Sequence, residues 1–312
     1  MKALVTGCAG FIGSHLAESL IASGADVTGL DCFTDYYARE LKERNLATLY
    51  ASPRFKFVEG AIQTVELAPL LNGVTHIFHQ AAQAGVRKSW GADFLTYTSH
   101  NVDSTQRLLE AVKGTGLQRF VYASSSSVYG DHVPIPMQEE TYLQPLSPYG
   151  VTKLAAEHLC TLYYANYGVP TVSLRYFTVY GPRQRPDMAF NRFFKAAIAG
   201  QPITLYGDGE QTRDFTYVAD IVAANLAAGD RGTPGAVYNI GGGSRVTVNH
   251  VLELVSRIAG RPLDIRREEA QKGDMRDTFA DTSRARAELG FAPSVTLETG
   301  LKAEYEWLSA AK

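Results

Sequence analysis

The chain has 312 residues, a net charge of −2 at pH 7, and hydrophobic and charged contents of 45% and 20%, all ordinary for a globular protein. This charge balance excludes a general attraction for nucleic acid or anionic membranes, and no apolar run approaches the roughly 20 residues of a membrane span. The three cysteines lack CxxC spacing and are odd in number, so neither a disulfide framework nor a metal site is predicted. Because the chain opens directly on a predicted strand, we expect no cleaved signal peptide and a cytoplasmic location.

The first predicted elements are a buried strand over residues 3–5, the glycine-rich run TGCAGFIG and a helical pattern. In the GxxGxxG spacing, Gly7 permits a tight turn, Gly10 lets the backbone approach a phosphate, and Gly13 allows close packing of helix on strand. This order of strand, glycine turn and helix predicts the pyrophosphate cradle of a dinucleotide site. The cradle is predicted to use Gly7, Gly10, Phe11, Ile12 and Gly13.

The second predicted strand, over residues 26–30, is followed by Asp31, eighteen residues after Gly13. A carboxylate there accepts a hydrogen bond from a ribose 2′-hydroxyl and repels a 2′-phosphate, which favours NAD over NADP. The alternative is a glycine loop that merely turns the chain. The strand, the helix and the distal acid together weigh against that alternative.

Alternation of strands and helices continues to about residue 182, which predicts an α/β fold with a doubly wound, Rossmann-type parallel sheet and ligands at the carboxyl ends of its strands. We expect residues 1–182 to form the NAD-binding domain and residues 183–312 to form a smaller α/β substrate lobe, with later segments crossing back into the sheet. The further strands are predicted over 55–58, 76–79, 120–123 and 171–174. The helices are predicted over 102–112, 154–165, 220–228 and 249–259, with one more at the C-terminus.

A candidate acid–base group lies in the run SPYGVTK, where Ser147 suits a helix N-cap and Pro148 suits the first helical position. Tyr149 is a poor base by itself, since the ordinary tyrosine pKa is about 10. Lys153 lies one turn further on the same face and is expected to stabilise the phenolate. The serines at 124–127 supply a hydroxyl for a proton path. Taken alone, YxxxK is a weak motif that many surface helices carry.

Seven motifs taken together resemble one family. In chain order these are TGCAGFIG, HQAAQAGVR, ASSSSVYG, SPYGVTK, RYFTVYGP, RDFTYVAD and YNIGGG. The chain resembles the extended short-chain dehydrogenase/reductases, in particular the NAD-dependent epimerase/dehydratase family, over nearly its whole length. The resemblance implies a tightly bound NAD that is recycled in each turnover, a nucleotide-sugar substrate held between the two parts of the chain, and a homodimer that pairs through two long helices.

The resemblance also implies roles for individual residues. Catalysis is assigned to Tyr149, Lys153, Ser125 and Ser126. Beyond the glycine cradle and Asp31, the NAD contacts are assigned to Ile62, Ala81, Ala82, Gln83, Asn101, Tyr149, Lys153 and Tyr176. The substrate contacts are assigned to Arg87, Ser127, Thr178, Arg185, Arg192, Gln211, Arg213 and Arg276.

Three of those arginines are predicted from chemistry as well, because a guanidinium offers paired donors to pyrophosphate oxygens. They are Arg192, Arg213 and Arg276, and a solvated surface arginine is the alternative for each. Asn239 is expected to pack rather than to contact ligand.

The type of reaction is inferred from acidic residues that other members of this family carry and this chain lacks. Dehydratases of this family carry an Asp-Glu pair where this chain has Ser126 and Ser127, and decarboxylases acting on UDP-glucuronate carry a glutamate at the Ser127 position. Without either acid, the family's chemistry reduces to oxidation at carbon 4 of a UDP-sugar, rotation of the transient 4-keto sugar and return of hydride to its other face. The resemblance therefore implies a 4-epimerase, an isomerase.

The runs HQAAQAGVR, RYFTVYGPRQRPDMA and DYY resemble UDP-glucuronate 4-epimerases, whereas UDP-glucose epimerases usually carry an asparagine at the Thr178 position. A carboxylate on carbon 6 requires donors, which are expected from Ser125, Ser126, Ser127, Thr178 and either Arg185 or Arg87. Two alternatives stay open. One is a UDP-glucose or UDP-N-acetylglucosamine 4-epimerase, and the other is a non-catalytic protein that senses NAD.

Two positions depart from the family's pattern. Cys32 replaces a common asparagine, and Ala61 replaces an aspartate often seen at an adenine contact. We expect Ala61 to weaken NAD binding.

Overall fold

The computed structural model describes residues 1–131 and 133–310 as alternating strands and helices. The strands are β1 (Lys2–Thr6), β2 (Asp26–Asp31), β3 (Phe55–Glu59), β4 (His76–His79), β5 (Arg119–Ser125), β6 (Thr171–Tyr176), β7 (Val179–Tyr180), β8 (Ile203–Tyr206), β9 (Thr212–Asp214), β10 (Thr216–Tyr217), β11 (Val237–Ile240), β12 (Arg245–Thr247) and β13 (Ile265–Glu268). The α-helices are α1 (Phe11–Ala22), α2 (Arg39–Tyr50), α3 (Leu67–Leu71), α4 (Phe94–Tyr97), α5 (Ser104–Ala111), α6 (Pro148–Tyr167), α7 (Ala189–Ala199), α8 (Val218–Arg231), α9 (Val248–Ala259), α10 (Ser283–Leu289) and α11 (Leu297–Ala310).

Seven strands form one sheet in the order β11-β6-β5-β4-β1-β2-β3, and every neighbouring pair is parallel. The predicted doubly wound sheet is thereby confirmed. The strand order changes direction between β1 and β4, which opens a crevice at the carboxyl ends of these strands. The strand β11 belongs to the later part of the chain and pairs with β6.

Helices cover both faces of the sheet, so its central strands are buried on both sides. Every residue of β4 and β6 is buried, including the polar residues of their sequences HIFH and TVSLRY. One core lies with α1 and α8, and a second lies on the opposite face with α5 and α6. A third core, built from α7, α9, α11 and β8, lies in the later part of the chain.

The helix that carries the YxxxK motif begins where the sequence predicts. The Ser147 hydroxyl accepts the Gly150 N–H at 3.1 Å, Pro148 occupies the first turn, and the helix ends at Gly168 in the left-handed region, with φ 67°. The helix predicted over 102–112 differs at its start, because a π-helical stretch, Thr98–Asp103, precedes α5. No helix of the described residues is long and apolar enough to cross a membrane.

Candidate active site

A pocket runs along the crevice at the carboxyl ends of β1, β2, β4 and β5, and most of the predicted cofactor residues line it. The predicted residues in its wall are Gly7, Gly10, Phe11, Ile12, Gly13, Asp31, Ile62, Ala81, Ala82, Gln83, Tyr149, Lys153, Tyr176 and Arg185. The fold therefore brings the glycine loop, the acid after β2 and the YxxxK motif to one continuous site, although they are far apart in the chain.

The glycine loop has the shape that a pyrophosphate requires. Gly7 lies at φ +70°, and a Cβ on Gly13 would lie 2.1 Å from the Gly7 carbonyl oxygen, so the loop and α1 pack with no space for a side chain. Gly10 is the N-cap of α1 and offers no capping side chain, and the first turn contains no acidic residue. Free backbone N–H groups at a helix N-terminus bind phosphate oxygens. The cradle therefore fits a dinucleotide.

Asp31 ends β2 in the same wall and is held by backbone donors. Its Oδ2 accepts the Ala9 N–H at 3.0 Å, and its Oδ1 accepts the Phe33 N–H at 2.9 Å. Burial raises the pKa of Asp31 above its ordinary value. These hydrogen bonds and the nearby Lys42 ammonium oppose that rise in part. Carboxylate oxygens have further acceptor sites for ribose hydroxyls. Lys42 also lines the pocket and is a residue that the sequence analysis missed.

Tyr149 lies at the other end of the pocket, where burial raises the pKa of its phenol. Two neighbours act in the opposite direction. The Ser125 hydroxyl, which lies near the phenol, and the positive charge of the Arg185 guanidinium both lower its pKa. The pairing of a serine hydroxyl with this tyrosine stays a prediction, and Ser125 is the serine of the cluster that influences the phenol.

Lys153 is buried beside Tyr149, but its ammonium lies over the Tyr122 ring, with Nζ 4.5 Å from the ring centroid. Burial lowers the pKa of Lys153 to about 7. From the sequence we expect this lysine to supply the charge that favours the phenolate. In this structure the charge that lowers the Tyr149 pKa is that of Arg185. The Arg185 contribution has no sequence signal, because the two residues are 36 positions apart.

Asn101 lies in the π-helical stretch behind the pocket wall. Its side-chain oxygen accepts the Gln83 N–H at 2.7 Å, and its amide donates to the Gln83 carbonyl at 3.0 Å and to the Thr152 hydroxyl at 2.9 Å. Asn101 thus ties the Gln83 segment to α6. It holds the wall in place and does not itself line the pocket.

The remaining serines of the cluster divide into different environments. Ser124 lines the pocket and donates to Glu157 at 2.6 Å, and Glu157 forms a buried ion pair with Arg175, also at 2.6 Å. Ser126 is buried. The Ser127 carbonyl lies so close to α6 that a Cβ on Gly150 would approach it to 2.4 Å.

Four of the predicted substrate residues gather around Tyr206, away from the pocket just described. The ring of Tyr206 lies beneath two guanidinium groups, those of Arg87 at 4.3 Å and Arg192 at 5.9 Å. Arg87 also pairs with Asp274 at 2.7 Å. Burial lowers the pKa of Arg213, which feels the charges of Asp274 and Arg87. The fourth residue is Gln211, whose amide donates to the Tyr206 carbonyl at 3.0 Å.

Of two other predicted substrate residues, Arg276 contacts that group through its backbone, since its carbonyl accepts a hydrogen bond from Arg213 Nη1 at 3.0 Å, and Thr178 lies elsewhere. The Arg276 side chain is half exposed and forms paired hydrogen bonds with Asp208 at 2.9 and 3.0 Å. Thr178 lies between β6 and β7, where its carbonyl accepts the Thr216 N–H at 2.9 Å. Within the described residues, no group of three His, Cys, Asp or Glu side chains is placed to hold a metal ion.

Comparison with known proteins agrees with this geometry. Residues 3–241 match the model of the NAD dependent epimerase/dehydratase family. The chain belongs to that family. A solved structure of UDP-glucuronic acid 4-epimerase from Bacillus cereus, in complex with UDP-glucuronic acid and NAD, is 43% identical and superposes with a TM-score of 0.97 over all of both chains.

Two curated relatives match over nearly their whole lengths. A Bacillus subtilis (strain 168) protein named as an uncharacterized UDP-glucose epimerase is 46% identical over 99% of this chain and 98% of its own. A UDP-glucuronate 4-epimerase from Thermodesulfobacterium geofontis is 37% identical over 97% of this chain and 95% of its own. The prediction of an NAD-dependent nucleotide-sugar 4-epimerase is confirmed, and the relatives differ in the sugar that their names give.

Proposed function

We propose that this chain epimerises UDP-glucuronate at carbon 4 to give UDP-galacturonate, through a transient 4-keto sugar. The observation that carries the proposal is the position of Arg185, which lines the reaction end of the pocket close enough to influence the pKa of Tyr149. A cation beside the catalytic tyrosine suits a sugar that carries a carboxylate two bonds from the reacting carbon. A neutral hydroxymethyl group at carbon 6 has no comparable need for it.

Each part of the site then has a task. When bound, NAD supplies the hydride chemistry at carbon 4. Tyr149 accepts the proton of the carbon 4 hydroxyl, and Ser125, whose hydroxyl lowers the Tyr149 pKa, stabilises the phenolate. The glycine loop and Asp31 orient the dinucleotide, and the Asn101 bridge keeps the Gln83 wall against α6.

The UDP end of the substrate is assigned to the group around Tyr206. A half-buried guanidinium at Arg213 and a second at Arg87 offer paired donors to the pyrophosphate. Arg192 adds a third cation over the same ring. Arg276 is engaged by Asp208 and takes part only if that exposed pair opens.

The second candidate is a UDP-glucose 4-epimerase, which the name of the Bacillus subtilis relative favours. Support for UDP-glucuronate comes from the Bacillus cereus structure in complex with that sugar nucleotide and from the Arg185 position. A further solved relative, MoeE5, is 40% identical and has been crystallised with UDP-glucose and with UDP-glucuronic acid, each together with NAD. Binding of a sugar nucleotide therefore does not by itself decide between the candidates.

The test is a product analysis with the three sugar nucleotides offered separately. The purified chain is incubated with UDP-glucuronate, UDP-glucose and UDP-N-acetylglucosamine, and the products are separated by anion exchange. We expect UDP-galacturonate from the first and at most slow conversion of the others. Efficient formation of UDP-galactose without UDP-galacturonate would support the second candidate, and no turnover of any would support an NAD sensor.

We also propose that the chain forms a homodimer through α6 and the segment from α4 to α5. Apolar side chains on these helices are exposed, with 76% of Leu95, 48% of Val151 and 53% of Leu162 accessible. Removing such surfaces from water favours association. Light scattering of Leu95→Glu and of the unsubstituted protein tests this, and a monomeric unsubstituted protein would refute it.

A further inference from the structure

Asp187 accepts two hydrogen bonds from one edge of the Arg185 guanidinium. Arg185 Nε donates to Asp187 Oδ1 at 3.0 Å, and Nη2 donates to Oδ2 at 2.9 Å. Because these two bonds use adjacent nitrogens, Nη1 lies outside the pair. A guanidinium is planar, so a pair of this kind fixes both its position and its orientation.

A third residue reaches the same pair from the cofactor side of the pocket. Tyr36 donates from its hydroxyl to Asp187 Oδ2 at 3.3 Å. It belongs to the segment after β2, and both Tyr36 and its neighbour Tyr37 line the pocket. The phenol lies so close to Gly85, at φ +105°, that a Cβ there would be 2.2 Å from the hydroxyl oxygen. The absence of a side chain at Gly85 therefore makes room for the Tyr36 hydroxyl beside Asp187.

We propose that Asp187 and Tyr36 are positioning residues, which hold Arg185 so that its free edge meets the carboxylate of the sugar and thereby set the preference for UDP-glucuronate over UDP-glucose. This inference rests on the proposed function. An arginine side chain left to itself samples many rotamers, and a ligand that must first order it binds more weakly. Asp187 and Tyr36 order the Arg185 side chain before the substrate binds, so binding does not have to overcome the entropy cost of ordering it.

A different role for Asp187 makes the opposite prediction. If Asp187 only neutralised Arg185, its replacement by asparagine would expose the full positive charge and strengthen binding of UDP-glucuronate. Tyr36→Phe would then change nothing, because it leaves both charges in place. If Asp187 positions Arg185, both substitutions weaken binding of UDP-glucuronate and leave UDP-glucose nearly unaffected.

The experiment measures affinity by calorimetry in the NAD-loaded full chain, with Tyr149→Phe present throughout so that neither sugar nucleotide is converted during the titration. We expect Asp187→Asn to weaken the binding of UDP-glucuronate about 5- to 10-fold and Tyr36→Phe to weaken it about 2- to 3-fold. The affinity for UDP-glucose should change less than about 2-fold in both. Arg185→Lys keeps the charge but not the paired geometry, and it should resemble Asp187→Asn.

Matched controls carry the same chemical changes elsewhere. Asp26→Asn breaks the exposed pair of Asp26 with Arg54 at the opposite end of β2, and Tyr50→Phe removes the hydroxyl of a tyrosine that is 57% exposed. Neither should alter the ratio of the two affinities. Tyr36→Phe retains the aromatic packing, so it provides a reading even if Asp187→Asn proves poorly folded.

Two results would overturn the inference: an unchanged affinity ratio in both substitutions, or tighter UDP-glucuronate binding in Asp187→Asn. Failure of the proposed function is recorded separately, in the products of the unsubstituted chain. A chain that forms only UDP-galactose refutes the proposed function, whereas the positioning role is judged by the affinity ratio alone.

Discussion

Glu304 is a buried carboxyl group whose removal should change the pH dependence of stability in a calculable way. It lies on α11, where its Oε2 accepts the Gly181 N–H at 2.9 Å and its Oε1 has no hydrogen-bond partner among the described residues. Burial raises the pKa of Glu304 to about 8 from its ordinary value of 4.5. Gly181 is four residues before Arg185, so this carboxyl group holds the start of the segment that carries Arg185.

The sign follows from which state binds the proton more tightly. The folded chain holds the Glu304 proton up to about pH 8, whereas the unfolded chain releases it near pH 4.5. The group's contribution to stability is therefore fully present below pH 4.5 and is lost as the pH rises through 8. The difference of about 3.5 pKa units corresponds to roughly 5 kcal/mol, at 1.36 kcal/mol per unit. Glutamine does not titrate and should abolish this loss.

The assay is urea unfolding of the parent and of Glu304→Gln at pH 5, 7 and 9 with saturating NAD. Glutamine buries an amide where Oε1 has no partner, which costs about 1–3 kcal/mol at every pH. Relative to that of the parent, the unfolding free energy of Glu304→Gln should therefore rise by several kcal/mol between pH 5 and 9. Glu298→Gln, on the exposed face of the same helix, should show no such trend. A difference for Glu304→Gln that stays constant with pH would refute the reasoning.

Three further substitutions test the site. Tyr149→Phe should lower kcat by about 10²- to 10⁴-fold with NAD still bound, because the proton acceptor is lost; activity within tenfold of the parent would remove it from that role. Asp31→Ala should weaken the binding of NAD by roughly 1.5–3 kcal/mol and reduce the preference of the protein for NAD over NADP. An unchanged ratio of the two affinities in titrations would show that Asp31 does not bind the ribose. Thr178→Ala and Arg185→Ala should each harm UDP-glucuronate turnover more than any UDP-glucose turnover, by roughly 1.5–3 kcal/mol for the arginine, and equal damage to both would contradict a carboxylate contact.

The elements fixed by local chemistry could be predicted from the sequence. The glycine cradle, the cap of α6 at Ser147 and the buried strands each depend on a few adjacent residues, and the structure has them where they were expected. The π-helical stretch before α5 could not be predicted, because its residues also suit an ordinary helix. The role of this stretch is seen only in the folded structure, where Asn101 forms hydrogen bonds with Gln83 and Thr152.

Contacts between distant segments account for the rest. The charge of Arg185 beside Tyr149, the Lys42 ammonium near Asp31 and the hydrogen bond from Tyr36 to Asp187 each join segments that only the fold brings together. The Asp31 position could be predicted because it follows a strand at a fixed distance from the glycines. A lysine or tyrosine in an irregular loop carries no comparable spacing signal.

The most direct test of the central claim is the conversion of UDP-glucuronate in heavy water, followed by proton NMR of the sugar product. The tyrosine and serine hydroxyls exchange only the hydroxyl proton, so hydrogen bound to carbon 4 is not taken from solvent. We predict UDP-galacturonate with no deuterium at carbon 4 or carbon 5 and no accumulation of NADH. Deuterium at carbon 4 or carbon 5, or the absence of UDP-galacturonate, would contradict 4-epimerisation of UDP-glucuronate by this site.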